Sequence, residues 1–401
     1  MFALLPDLPD PALRQPFTIA AVCPLFLSYY ALGVLAILPN TFLIKLSLLP
    51  FIVWQVWRCA LGLDPSLRLG QLLGRESPGR FSLWNFEFVM LMFCFTLKSF
   101  EWVFIMEPLR KYELLKDQDT PLERPLTISN VLLDGLDLLY NQRGIGWSWS
   151  SNPFLGRNTP PLSIFSVLAK LLIKVTVLDA SQYLIQCICP SVNIPGGISF
   201  MDPSLTIWHR TAVAAFSSML GFAWTWAVID SAYHIGSLIG RTLLCQSASQ
   251  WPPSSHRPWL STSLHELWSF RWHQLLRHFF VTFGARPCGK IFGRMGALMG
   301  AFAVSGILHH VALWGLGYGT EFKTAGGFFF IMGLGTVMEE EFTKATGLRV
   351  RGLLGWLWTM TWTVFWGVFM LDAWARRGLF STDFSRSMFV LVNSLSILPC
   401  S

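Results

Sequence analysis

Eight stretches of this 401-residue chain are apolar over roughly the length an α-helix needs to cross a lipid bilayer, about 20 residues. They lie near 17–38, 41–57, 84–106, 162–188, 206–230, 296–318, 325–338 and 352–374, with a weaker ninth at 387–399. In hydrocarbon no water is available to satisfy a backbone N–H or C=O, so such runs fold as helices that bond within themselves. Only 13% of the residues are charged, about half the share of an ordinary soluble domain, and mean hydropathy is +0.48. The polar surface that a soluble protein turns to water is missing. The expected fold is all-α: one polytopic membrane domain over 1–401 with eight or nine transmembrane helices. The 325–338 run (AGGFFFIMGLGTVM) is short and Gly-rich, which suits a tilted or shielded helix.

The net charge of +7 comes from 30 Lys+Arg against 23 Asp+Glu. The basic residues gather in 107–160 (Arg110, Lys111, Lys116, Arg124, Arg143, Arg157) and in 241–295 (Arg241, Arg257, Arg271, Arg277, Arg286, Lys290, Arg294). That distribution reads as two cytoplasmic loops under the positive-inside bias, and no block is dense enough for nucleic acid. One segment fits this topology badly: 58–83 carries Arg58, Arg68, Arg75 and Arg80 yet falls on the opposite side if 17–38 and 41–57 both cross. Eight scattered cysteines, mostly in or beside apolar runs, read as small apolar residues, and Cys187-Ile188-Cys189 has no second pair at zinc-ligand spacing, so no metal is expected. The N-terminus lacks the basic n-region of a cleavable signal peptide. The chain shows no internal repeat, which weighs against transporters built from duplicated halves.

One segment is too polar to span and too aromatic for a plain solvent loop: SLHELWSFRWHQLLRHFF, residues 263–280. Ser263 suits an N-cap, with Glu266 just inside. At helical spacing Glu266, Phe270, His273, Arg277 and Phe280 form one stripe, the pattern of an in-plane amphipathic helix. A membrane anchor without chemical duty fits that pattern equally well. Further on, Ala303-Val304-Ser305-Gly306-Ile307-Leu308-His309-His310 places two histidines inside an apolar run, where ionisable groups are costly and point to function.

Trp268-Ser269-Phe270-Arg271-Trp272-His273, followed by Arg277, resembles the F-W-G-R-R-W-(N/H) region of the wax-synthase-like branch of membrane-bound O-acyltransferases, and Ser305-Gly306-Ile307-Leu308-His309 resembles that branch's S-G-x-x-H box. Ser269 and Phe270 stand where that family often has Gly and Arg. The resemblance covers about fifty residues of a catalytic region near 263–318. It implies an acyl-CoA-dependent O-acyltransferase of the endoplasmic reticulum, with catalytic His309 and a second active-site residue at His273. Short fungal members of the branch resemble acetyltransferases of secondary metabolism acting on terpenoid or meroterpenoid alcohols, so acetyl-CoA is the expected co-substrate. Long-chain wax or sterol ester synthesis is the alternative within the class, and a secondary transporter with His309 as a proton relay is the alternative outside it.

The residue types suit acyl transfer. A base must take the proton of the attacking alcohol, and a histidine kept neutral by its apolar setting is the form that accepts one. Such help is worth about 10²–10⁴-fold in rate. No G-x-S-x-G elbow is present for an acyl-serine intermediate, and direct attack needs none. Ser305 lies on the same helix face as His309, four residues back, and its hydroxyl either orients the imidazole or bonds its own helix. His310, rotated by about 100°, reads as a packing residue. Trp272, Arg271 and Arg277 are the remaining candidate substrate-binding residues, the arginines for CoA phosphates; topology-setting charge explains each arginine singly as well. Lys98/Glu101, Lys170/Lys174/Asp179 and Asp230/His234 read as internal structural sets, and Glu339, Glu340 and Glu341 with Lys344 as a solvated loop.

Overall fold

In the computed structural model, which describes residues 13–72, 82–113, 122–150, 162–194 and 196–381, each of the eight apolar runs carries a helix. They are α1 (Ile19–Ile37), α2 (Phe42–Gly62), α4 (Ser82–Phe104), α6 (Ile164–Ile188), α7 (Ile207–Thr242), α10 (Arg286–Trp314), α11 (Gly327–Thr346) and α12 (Gly352–Arg376). Shorter helices lie between them: α3 (Pro65–Leu72), α5 (Ile128–Tyr140), α8 (Leu264–Glu266) and α9 (Arg277–Phe279). The weak run at 387–399 lies outside the described residues. Helix starts follow capping chemistry: the hydroxyls of Thr18, Thr127, Ser163 and Thr206 each accept the amide three residues on, satisfying a donor the helix itself leaves open. β-structure among the described residues is limited to two short pairings, Gln15–Pro16 with Leu63–Asp64 and Tyr112–Glu113 with Leu122–Glu123, and a single bridge between Lys111 and Trp147.

Five of the described segments are long and apolar enough to cross a membrane: Ile19–Ile37, Phe42–Gly62, Ile207–Thr242, Arg277–Trp314 and Gly352–Arg376. That is fewer than the eight or nine expected. The helices α4, α6 and α11 carry ionisable residues, and α4 and α6 each contribute to one ion pair inside the protein. Lys98 meets Glu101 at 2.8 Å within α4, and Lys174 of α6 meets Asp230 of α7 at 3.0 Å. The awkward charge of 58–83 is partly explained the same way: Arg58 is a helix residue whose guanidinium donates to Gln55 Oε1 at 2.8 Å and to the carbonyl of Ala21. Buried side chains form two main clusters, one gathering α1, α2, α4 and α5, the other gathering α6, α7, α11, α12 and the end of α10.

The segment Arg277–Trp314 is a hairpin of two antiparallel arms. Gly293 has φ 63 and ψ −154, open to glycine and strained for any other residue, and there the chain reverses. A Cβ on Gly284 would collide with the carbonyl oxygen of Gly300, and one on Gly289 would stand 3.1 Å from the Cβ of Ala297. In a straight helix Gly284 and Gly300 would be about 24 Å apart. The small residues Gly284, Gly289, Gly296, Ala297 and Gly300 let the arms touch backbone to backbone, as small residues do between membrane helices. The 296–318 run is therefore the second arm of a pair whose first arm lies inside the basic segment 241–295.

The expected single helix over 263–280 is interrupted. After α8, Leu267–Arg271 forms a π-turn, Trp272 is extended (φ −70, ψ 167), and helix resumes only at Arg277. The cause is a competing partner: the amide of His256 donates to the carbonyl of Arg271 and the amide of Gln274 to the carbonyl of Ser254, both at 2.9 Å. This strand-like pairing replaces the i→i+4 bonds, so the proposed stripe splits. Phe270 is 52% exposed and stacks on His256, while His273 turns to the interior.

Candidate active site

A cavity of about 270 Å³ lies between the hairpin, the broken segment and the helices α7, α11 and α12. Its walls are chiefly aromatic and aliphatic: Phe222 from α7, Trp268 and Trp272 from the broken segment, Phe302 from the hairpin, Phe328 and Phe329 from α11, Trp374 from α12. Polar groups enter at few points, which is how ligand sites fix orientation within an apolar enclosure. They include Ser305 and His309 on the second arm, His273 on the broken segment, and the cations Arg277 and Arg294.

His309 is held by its own helix. Its Nδ1 lies 2.8 Å from the carbonyl oxygen of Ser305. A carbonyl only accepts, so Nδ1 carries the proton and Nε2 keeps the lone pair. The ring stacks on Phe329 (centroids 4.3 Å apart, 27° between planes) and lies nearly parallel to Trp374 (6.2 Å, 12°). The Ser305 contact that orients His309 is thus made by the backbone carbonyl, not the hydroxyl. His310 faces elsewhere: it meets Phe322 edge-on at 5.0 Å and is absent from the cavity wall.

His273 lacks such local support. Among the described residues its buried Nδ1 has no hydrogen-bond partner, which leaves Nε2 as the ring nitrogen that can meet a substrate. Enclosure by the protein, reinforced by the neighbouring His309, pushes its pKa down to about 3, so the ring is neutral at physiological pH. The indole of Trp272 packs against Phe222 at 6.3 Å and Trp268 at 5.8 Å.

Of the residues singled out in the sequence, His309, His273, Ser305, Trp272 and Arg277 share this cavity wall, and Arg271 does not. The Arg271 guanidinium donates from Nε to Glu266 Oε1 at 2.6 Å and from Nη1 to the carbonyl of His256 at 3.1 Å, which ties the broken segment to the loop beside it. Arg294, at the hairpin tip, also reaches the wall while pairing with Glu340 at 2.8 Å.

Two supporting carboxylates escaped the sequence reading. Glu339, expected in a solvated loop, is buried in α11 and accepts the amides of Leu264 (2.6 Å) and His265 (3.0 Å) and the indole N–H of Trp358 (2.8 Å). It fastens the start of the broken segment. Its place at the end of an apolar run was the available signal, masked by two acidic neighbours. Asp230 does not pair with the His234 ring, which bonds the Asp230 backbone carbonyl at 2.6 Å. Its carboxylate accepts instead from Ser254 and Ser255 and pairs with Lys174.

The sequence matches the model of the Membrane bound O-acyl transferase family over residues 251–331, a stretch that contains the loop, the broken segment, the hairpin and both histidines. Among characterised proteins it is 23% identical over 308 residues to the O-Mevalon transferase macI of Penicillium terrestre, covering 69% of this chain and 70% of that protein. It is 26% identical to the acetyltransferase eriL of Hericium erinaceus over 38% of this chain and 44% of that protein. It is 29% identical to a long-chain-alcohol O-fatty-acyltransferase of Simmondsia chinensis over 25% of this chain and 30% of that protein. The chain thus spans less than half of the second and third of these relatives. The matches bear out the resemblance to membrane-bound O-acyltransferases and the enzyme class that goes with it.

Proposed function

We propose that this O-acyltransferase moves an acetyl group from acetyl-CoA to a hydroxyl of a lipophilic terpenoid or meroterpenoid alcohol in the endoplasmic reticulum membrane, with His309 as general base. The observation that carries the reading is the 2.8 Å contact of His309 Nδ1 with the Ser305 carbonyl, on the wall of an aromatic cavity. It presents an unprotonated Nε2 to whatever the cavity holds.

The alcohol oxygen attacks the thioester carbonyl carbon while His309 Nε2 takes the hydroxyl proton. His273, with its proton on Nε2, donates to the oxyanion that develops on the carbonyl oxygen. The intermediate collapses with loss of the CoA thiolate, which recovers the proton from the His309 imidazolium. No covalent enzyme intermediate is needed, because one cavity holds both substrates. Along the second arm, Arg294 and His309 are about 22 Å apart, so a CoA whose phosphates meet the cations of the hairpin tip lays its pantetheine arm along the cavity toward His309. The aromatic walls favour a lipophilic acceptor, and the similarity to a named acetyltransferase favours acetyl.

The similarity to a long-chain-alcohol O-fatty-acyltransferase favours a second reading with a long-chain donor. Microsomes containing the protein, given labelled acetyl-CoA or palmitoyl-CoA with a panel of farnesol, sterol and hexadecanol, separate the two. Ester from acetyl-CoA, absent with His309→Ala at equal protein level, is the expected result. Ester formation by a fully active His309→Ala enzyme overturns the mechanism, and preference for palmitoyl-CoA overturns the acetyl assignment.

A further inference from the structure

We propose that Asp230 is the positioning residue for His273, acting through the loop 252–256; this rests on the reading of His273 as part of the acyl-transfer site. Among the described residues the buried Nδ1 of His273 has no hydrogen-bond partner, and its segment has left the helical ladder. Its position is therefore inherited from the backbone of 271–274. That backbone is paired on both sides of His273 with one loop: the His256 amide bonds the Arg271 carbonyl, and the Gln274 amide bonds the Ser254 carbonyl.

The loop is in turn fixed from α7. The Asp230 side chain, 4% exposed, accepts from the hydroxyls of Ser254 and Ser255 at one oxygen and pairs with Lys174 at the other. The Trp226 indole, one turn back on α7, donates to the Ser255 hydroxyl at 3.0 Å, and the Lys174 ammonium lies over its ring. Asp230 thus joins α7, α6 and the loop at Ser254, whose carbonyl holds Gln274. Two hydrogen bonds connect its carboxylate to the backbone beside His273: Ser254 hydroxyl to Asp230, and Gln274 amide to Ser254 carbonyl. A buried carboxylate in such a position transmits geometry, since none of its partners can move without leaving a buried charge or donor unsatisfied.

The test separates position from folding. Asp230→Asn leaves Lys174 buried without its charge partner and risks the fold, so the informative protein is the double variant Ser254→Ala/Ser255→Ala, which keeps the Asp230–Lys174 pair. With labelled acetyl-CoA and the panel alcohol that wild-type microsomes esterify fastest, its kcat should fall by about 10–100-fold, the scale of an ångström-sized misplacement. The KM for acetyl-CoA should stay within about twofold, because no donor contact is removed. In a His273→Ala background the serine changes should cost nothing further, since the group they position is gone. A wild-type kcat for the serine variant beside a crippled His273→Ala enzyme overturns the positioning role alone. Equal multiplicative losses in both backgrounds also overturn it, because they mark a general structural effect. A His273→Ala enzyme as active as wild type overturns the role of His273, and this inference with it.

Discussion

The two histidines of the cavity are held in opposite ways. His309 sits on a continuous helix, and the group that orients it is the carbonyl four residues back, available wherever that helix forms. His273 sits where a helix has been broken, and what orients it comes from the backbone of Ser254 and His256 and, through the Ser254 and Ser255 hydroxyls, from a carboxylate on α7. One placement is written within five residues; the other needs three separate parts of the chain. Local placement survives changes elsewhere in the molecule, whereas distributed placement exposes His273 to substitutions far from the chemistry.

That contrast is breakable. The largest effect belongs to His309→Ala, which should lower the rate of ester formation by about 10²–10⁴-fold, roughly 3–5 kcal/mol of barrier, while the protein still inserts and behaves normally in detergent. Next comes Glu339→Ala, which leaves the buried amide of Leu264 and the half-buried amide of His265 without their acceptor. It should lower stability by about 1–3 kcal/mol, read as a fall in melting temperature of the detergent-solubilised protein. His273→Asn tests the neutral ring through pH. Because its folded pKa lies near 3, below the unfolded value of about 6.5, protonation favours the unfolded chain, and stability present at pH 7 is lost as pH falls. Between pH 7 and pH 5 this one group accounts for about 2 kcal/mol, so the wild type should lose more stability over that interval than His273→Asn. The smallest effect is expected for Ser305→Ala. Since the backbone carbonyl orients His309, the loss in kcat/KM should stay within about tenfold; a loss as large as that of His309→Ala would reassign the orienting role to the hydroxyl.

Helix content was legible because the apolar runs are long and backbone chemistry in lipid leaves one solution. So was the orientation of His309 on its helix, whose supporting contact is itself a helical repeat. The reversal at Gly293 was hidden: its sequence, Phe292-Gly293-Arg294-Met295-Gly296, reads as an ordinary polar approach to the next helix, and only the paired small residues on each side, Gly284 and Gly289 against Ala297 and Gly300, carry the signal. The break at Trp272 was hidden for a different reason. Residues 263–280 have good helical spacing, and their competing partner, residues 254–256, is paired to them only in the folded state. The same is true of Glu339 and Asp230, whose partners lie on other elements, so neither burial nor role follows from their neighbours in the chain. Arg271 shows the converse error: a motif position suggested a substrate contact, and the structure gives its guanidinium to Glu266.

The hairpin turns the stretch of chain between the two histidine motifs into a ruler. Its contacts pair residues whose numbers are mirrored about Gly293, so His309 comes level with Arg277, beside the broken segment that carries His273. Loss of a single residue from one arm would shift that arm by about 1.5 Å and rotate everything beyond it by about 100°, turning His309 out of the cavity while leaving its sequence box untouched. Only matched changes of whole turns in both arms would keep the two readings aligned. Spacing between the motifs is therefore under the same constraint as the motifs themselves.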